Sequence, residues 1–293
     1  MKKRNLIMIA LMLVSSISVV SVLMLLSSKT GTANNTVMMS NGINAKLVET
    51  DKPGNNDWID AKDDQITLQY PTRMPGDVII KKPRVVRTDE PPESAANAYV
   101  AVKMQLMALL GNKASDEISL SNKDGLDKLN DILLSAKEDG TTPYTFTTDN
   151  VITLFETILN GIYYEVPGGT VKRPLSPDWK YFKDEYESNT GWFFYVKASE
   201  SESARSLKVL HPMEGNDHAA TDVIFTNIKI PDNLSPMQLE LYSVLAHANV
   251  ELYLKFTAYL AQSDNSPYKG GTTFEDYKQA FPQITFWSSQ EGH

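Results

Sequence analysis

Few residues in this chain are equipped for chemistry. Its four histidines are His211, His218, His247 and His293, and it has no cysteine. Without cysteine there is no thiol nucleophile, no thiolate-ligated metal and no disulfide framework. The nearest approach to a site is the set His211, Asp217, His218 and Asp222, in which His218 and Asp222 stand at i and i+4. Such a set has the chemistry for a metal or for proton transfer. No third ligand is evident, however, and His and Asp are ordinary residues of polar turns. A polar hairpin loop between two strands is the plainer reading. Neither an HExxH pair nor a GxSxG elbow occurs, so neither a helical zinc site nor a hydrolase nucleophile turn is signalled. His247 ends a short helical stretch, where a cationic imidazole complements the helix dipole. Tyr163, Tyr164, Trp179, Tyr181, Phe182 and Tyr186 form an aromatic-rich run. They suit a carbohydrate platform or, more simply, the anchoring of a long loop to a core. These residues call for no cofactor, and an enzyme is not the leading expectation.

The elements that position these residues read mainly as strands. Ile43, Ala45 and Leu47 alternate, as do Ile66, Leu68 and Tyr70, and Ala98, Val100, Val102 and Met104; a period of two places each set on one face of a strand. Met74-Pro75-Gly76-Asp77 is a turn, with Pro fixing one torsion and Gly supplying the positive one. Residues 90–93 carry two prolines and read as an exposed loop. From 105 to about 160 the period changes. Leu126, Leu129, Ile132, Leu133 and Ala136 recur at three and four, as on a helix laid against a core. A second helix carries Val151, Leu154, Phe155, Ile158 and Leu159, with Asp149 or Asn150 as cap and Gly161 as its end. Residues 166–186, rich in proline and aromatics, read as loop, and the whole stretch 105–186 as a helical insertion. Strand signals return at 192–197, at 223–230 and most clearly at 250–262, preceded by a helix that starts at Ser235-Pro236. Phe274, Tyr277, Lys278 and Phe281 predict a last helical turn or two. With no alternating strand–helix rhythm, the expectation is an antiparallel sandwich of the mainly β class.

The N-terminus carries a different signal. Lys2, Lys3 and Arg4 precede an apolar run over residues 6–26, followed at once by small polar residues. That order is what an export signal presents, although about 21 residues also suffice to span roughly 30 Å of bilayer. Residues 1–27 are therefore read as a signal peptide or single anchor. Residues 28–40 are read as a mobile segment, and 41–293 as one β-sandwich domain with its insertion. Losing the three cations takes the formal charge from −8 to −11, which argues against nucleic acid or anionic lipid as the main partner.

Four stretches in order give a resemblance to the TasA/camelysin-like exported proteins of Gram-positive bacteria. These are LSSKTGTANNTVMMSNGINAKLVET (26–50), TRMPGD (72–77) with KKPRVVRTDEP (81–91), NTGWFFYVK (189–197), and TDVIFTNIKIPDNLSPMQLE (221–240) with AYLAQSDN (258–265). Where the family usually has Asn-Thr-Gly, this chain has Arg87-Thr88-Asp89, and the match does not touch 105–186. The resemblance implies a jelly-roll-like sandwich, secretion after cutting by a dedicated signal peptidase, and self-assembly into fibres of a biofilm matrix alongside other matrix components. It further implies that the freed segment, with Lys29, Thr30, Thr36, Val37, Met38 and Met39, pairs with the sheet of the next subunit. Some members are labelled metallopeptidases, which makes a cell-surface metallopeptidase the first alternative. A glycan-binding adhesin that uses the aromatic run is the second.

Overall fold

The computed structural model describes residues 37–39, 43–49, 59–60, 76–89, 95–110, 117–138, 142–168, 171–184, 187–198, 205–214, 217–264, 266–282 and 284. The apolar run 6–26, the alternating set Ile66, Leu68 and Tyr70, and the proline pair at 91–92 lie outside them. Among the described residues no helix is long and apolar enough to cross a membrane.

The strands in chain order begin with β1 (Val37–Met39), β2 (Ala45–Glu49), β3 (Ile59–Asp60), β4 (Val78–Ile80) and β5 (Arg84–Arg87). They continue with β6 (Ala98–Leu110), β7 (Glu117–Ser119), β8 (Ile162–Glu165), β9 (Lys172–Arg173), β10 (Trp179–Lys183) and β11 (Thr190–Tyr195). The last are β12 (Met213–Glu214), β13 (Asp217–His218), β14 (Asn227–Lys229) and β15 (Val250–Gln262). Four helices, α1 (Lys123–Glu138), α2 (Thr148–Leu159), α3 (Pro236–His247) and α4 (Phe274–Lys278), complete the set. The protein is mainly β, built of antiparallel sheets. The main sheet runs β1-β15-β6-β11-β10, with β7 also on β6, and only its β1–β15 pairing is parallel. Two smaller sheets, β4-β14-β8-β9 and β3-β2-β5, are joined by residues 219–226. That stretch bonds to both: Arg87 N–H donates to Ala219 O, Thr221 N–H to Val85 O, and Lys81 N–H to Thr226 O.

Alternation explains the central layer. Val100, Val102 and Met104 of β6 meet Phe256, Ala258 and Leu260 of β15 and Ile43, Leu47 and Val85 of the facing sheet in one buried cluster. Both faces of the main sheet are covered. Ala101, Trp192, Phe194 and Ala261 point the other way, into a second cluster closed by Tyr277 and Phe281 around α4. All six residues of β11 are buried, which is what a strand enclosed on both sides requires. The third cluster lies under the helices: Leu129, Leu133 and Ala136 of α1 and Val151, Leu154, Phe155 and Ile158 of α2 pack against Leu106, Ala108 and Val250.

Helix starts follow local capping chemistry. Asn122 Oδ1 accepts from Gly125 N–H at the head of α1. Ser235 and Gln238 cap α3 reciprocally, as do Thr273 and Asp276 at α4. In α2 the cap is Thr147 rather than Asp149 or Asn150. Asn150 sits at the third helical position and accepts from the Thr147 N–H at 2.9 Å. Gly76 takes φ +93°, and a Cβ there would meet Asp232 Oδ1 at 2.3 Å, so this position uses glycine for both reasons.

The helical insertion is shorter than 105–186. Residues 105–110 continue β6, whose Leu106, Met107, Ala108 and Leu109 are all buried. β10, within the stretch read as loop, pairs with β11 from Trp179↔Tyr195 to Lys183↔Gly191. Of the strand expected over 223–230, only β14 keeps ladder pairing.

Candidate functional site at a sheet edge

β15 is a 13-residue strand with two unlike edges. On its inner edge every residue from Val250 to Gln262 is in register with β6, from Leu110 to Ala98. On its outer edge it pairs with β1 alone among the described strands, through Val37↔Ala258, Met38↔Tyr259 and Met39↔Leu260. The remainder of that edge presents backbone donors and acceptors to which no described strand is paired, which is the arrangement a further strand can extend.

Just downstream of β1 the chain is held hard. Asp89 Oδ1 accepts from the Asn44 N–H at 2.5 Å, and the Thr88 N–H donates to Asn44 O at 2.9 Å. Asp89 is itself gripped by Arg87 Nε at 2.6 Å, and their side chains are 2 % and 0 % exposed. The guanidinium also donates to Leu210 O and Ala96 O. A buried ion pair is tolerable when its remaining donors and acceptors are met, as here. The Arg87-Thr88-Asp89 stretch is therefore a pin that ties β2, β5, the start of β6 and residue 210 together. Arg87 and Asp89 are two apart, on one side of the chain; that spacing was the available signal, and sequence reasoning did not use it.

The structure scatters the His/Asp candidates. His211 Nδ1 lies 2.8 Å from Asn97 Oδ1 at the surface. Asp217 and His218 form β13, paired with β12 in a small exposed hairpin. Asp222 is elsewhere: its Oδ2 accepts from Ser176 Oγ at 2.5 Å and its Oδ1 from the Val223 N–H. Among the described residues no three His, Asp or Glu side chains are grouped as a metal would need. His247 Nδ1 is 2.7 Å from Ser243 O at the end of α3, a helix-terminal position. His293 lies outside the described residues, as do Lys2, Lys3, Arg4, Lys29, Thr30 and Thr36. Val37, Met38 and Met39 are paired with β15.

The aromatic run divides in the same way. Trp179 is 1 % exposed and donates Nε1–H to Asp222 O at 2.9 Å, so its ring has no face to offer a sugar. Tyr164 is buried beside Asp222, and burial, then the Asp222 charge, raises its hydroxyl pKa. Arg84, Tyr164 and Asp222 line one cleft, and burial lowers the Arg84 pKa against the opposing pull of Asp222. Phe182 packs on Phe274 and Tyr277. Tyr186 is outside the described residues, and Tyr181 remains partly open. No family model, curated protein or solved structure matches the chain.

Proposed function

We propose that this protein is an exported structural subunit of an extracellular fibre. Built on a jelly-roll-like sandwich, it would assemble head to tail by passing β1 to the outer edge of β15 in the next subunit. One observation carries the reading: a three-residue strand at the N-terminal end of the domain occupies a small part of a thirteen-residue edge. The backbone bonds that β1 makes within its own subunit are the same bonds it would make on a neighbour. Exchange therefore costs little in enthalpy and is decided by protein concentration and by what the rest of the edge gains. Because Asn44 is pinned by Asp89, only residues upstream of it can leave. The four peptide steps from Met39 to Ile43 reach at most about 14 Å, so donor and acceptor must stack closely. The resemblance in sequence motifs supports the same reading.

The test is electron microscopy and light scattering of the processed protein at high concentration, with and without residues 29–39. The shortened chain is expected to stay folded and monomeric while the full chain forms filaments. Filaments of equal yield from both would exclude donation by this segment, and absence of filaments from both would exclude the fibre subunit.

A further inference from the structure

The helical layer and the central layer do not close completely against each other. Leu159 and Leu254 pack against both of their cores, and at this seam lies a cleft of about 410 Å³. Its floor is the inner face of the main sheet, with Leu106, Phe193 and Leu254, and its roof is Phe155 and Leu159 of α2. Tyr181 forms a side wall. Its ring sits where a Cβ on Gly191 would come within 2.3 Å and lies 5.0 Å from the Phe193 ring. Glycine at 191 thus lets Tyr181 lie along the strand instead of being pushed off it, and the ring lines the space.

We propose that this cleft binds a small neutral molecule with an apolar body of about aromatic-ring size and a single hydroxyl or amide head. The volume and the mainly apolar lining with a few polar groups at the mouth are those of small-molecule sites. The head is specified by the two charges among the described lining residues, Glu156 and Lys183. Glu156 Oε1 and Lys183 Nζ are 3.9 Å apart, with side chains 56 % and 71 % exposed. That distance exceeds a hydrogen bond, and so exposed a pair contributes little and opens readily. A hydroxyl oxygen about 2.8 Å from each completes the triangle, donating to the carboxylate and accepting from the ammonium. An anionic head at the same point meets Glu156, and a cationic one meets Lys183. Neutrality follows from the presence of both. Asn160, one helical turn beyond Glu156 on the same rim, supplies a second neutral donor and acceptor for an amide. This site is separate from the β15 outer edge and does not depend on the fibre reading.

Three probes with one body and different heads test it: 2-phenylethanol, phenylacetate and phenethylamine, titrated against the full chain by calorimetry and ligand-observed NMR at pH 7. Saturable binding of 2-phenylethanol is expected with Kd of about 1 mM or tighter, given its few heavy atoms. The two charged probes should bind at least about fivefold more weakly. Glu156→Gln should recover phenylacetate and weaken the alcohol by about two- to threefold, because a neutral amide oxygen accepts less strongly than a carboxylate. Leu159→Trp should fill the cleft and abolish binding of all three. If that variant does not fold by circular dichroism, Ile152→Trp on the same wall takes its place. Absence of saturable alcohol binding up to about 10 mM, equal binding of all three heads, or binding retained by a folded cleft-filled variant each overturns the proposal. So does a cleft that takes no probe but whose filling blocks association of the chain with itself, since the occupant would then be a second copy.

Discussion

The two edges of β15 are made of one run of residues, yet they serve different ends. The inner edge is paired with β6 along its full length, and the side chains that alternate across that ladder enter the central core on one face and the α4 cluster on the other. The outer edge holds three residues of β1. Backbone chemistry does not distinguish the two, because the hydrogen bonds are the same kind. Side-chain burial and loop length do. The inner partner is a long strand locked by packing on both faces, whereas the outer partner is short and arrives on a connection of only a few residues. An edge can therefore be stable as part of the fold and still be available for exchange, provided the chain is fixed close to the exchanged strand. The Arg87–Asp89 pin at Asn44 provides that fixed point.

The largest effect should come from attacking the inner ladder. Phe256 is fully buried and touches the rings of Phe193 and Phe225. Phe256→Ala is expected to cost about 3–5 kcal/mol in urea-unfolding experiments. Removal of residues 29–39 should change stability far less. A comparable loss from the deletion would mean that β1 is an integral strand, and the contrast between the edges would fail.

Close behind comes the pin. Arg87→Met removes one partner of a buried pair and leaves the Asp89 carboxylate without its cation, which costs about 3–5 kcal/mol. The double variant Arg87→Met with Asp89→Leu should regain much of that, because no charge is then left buried alone. The pin separates the exchangeable segment from the domain. The double variant should therefore also show faster amide exchange at Asn44 while the β6–β15 amides keep their protection. Unchanged exchange at Asn44 would remove Asp89 from the role assigned to it.

The comparison also shows what a sequence discloses. Strands β2 and β15 and helices α1 and α4 were legible because each has one dominant period and a turn or cap at its boundary, and α3 was legible from its Ser235-Pro236 start alone. Residues 105–110 were not. Leu106, Met107, Ala108 and Leu109 are buried on both faces, and an unbroken apolar run lacks the alternation that tells strand from helix. β10 was hidden for another reason: the prolines upstream of Trp179 mark a loop, and five residues that pair with β11 carry too short a pattern to stand out from it. The candidate sites failed in one direction. His211, Asp217, His218 and Asp222 are near in sequence, but hairpin β12–β13 turns two of them outward while Asp222 is held by Ser176 and the Val223 amide. The parallel pairing of β1 across more than two hundred residues of chain, and the cleft between two cores, depend on tertiary packing alone and leave no local mark.

The smallest effect isolates the Tyr253 end of β15. Burial, reinforced by the charge of Glu117 and a hydrogen bond to it, raises the Tyr253 hydroxyl pKa. Glu117, on β7, is also paired with Lys255 Nζ at 2.6 Å, so Tyr253 and Lys255 share one carboxylate on the half of β15 remote from β1. The sign follows from the raised value. In the unfolded chain tyrosine ionises near pH 10, and in the folded chain Tyr253 holds its proton to higher pH. Its contribution to stability is therefore complete below about pH 10 and is lost as pH rises toward the folded-state value. Other tyrosines shifted the same way, among them Tyr242 and Tyr277, give the whole protein an alkaline decline. Tyr253→Phe should make that decline shallower by one group. The check is the urea midpoint of both proteins at intervals from pH 8 to about 11.5, read against amide exchange along β15. The offset left by the lost hydrogen bond to Glu117 should be constant below about pH 10 and change only above it, and that change should appear first at residues near Tyr253, with the β1-paired residues Ala258, Tyr259 and Leu260 unaffected. An offset that does not change between pH 8 and about pH 11.5, or a change that spreads evenly along the strand, would mean that Tyr253 acts through packing rather than through its proton. The two ends of β15 would then not be separable.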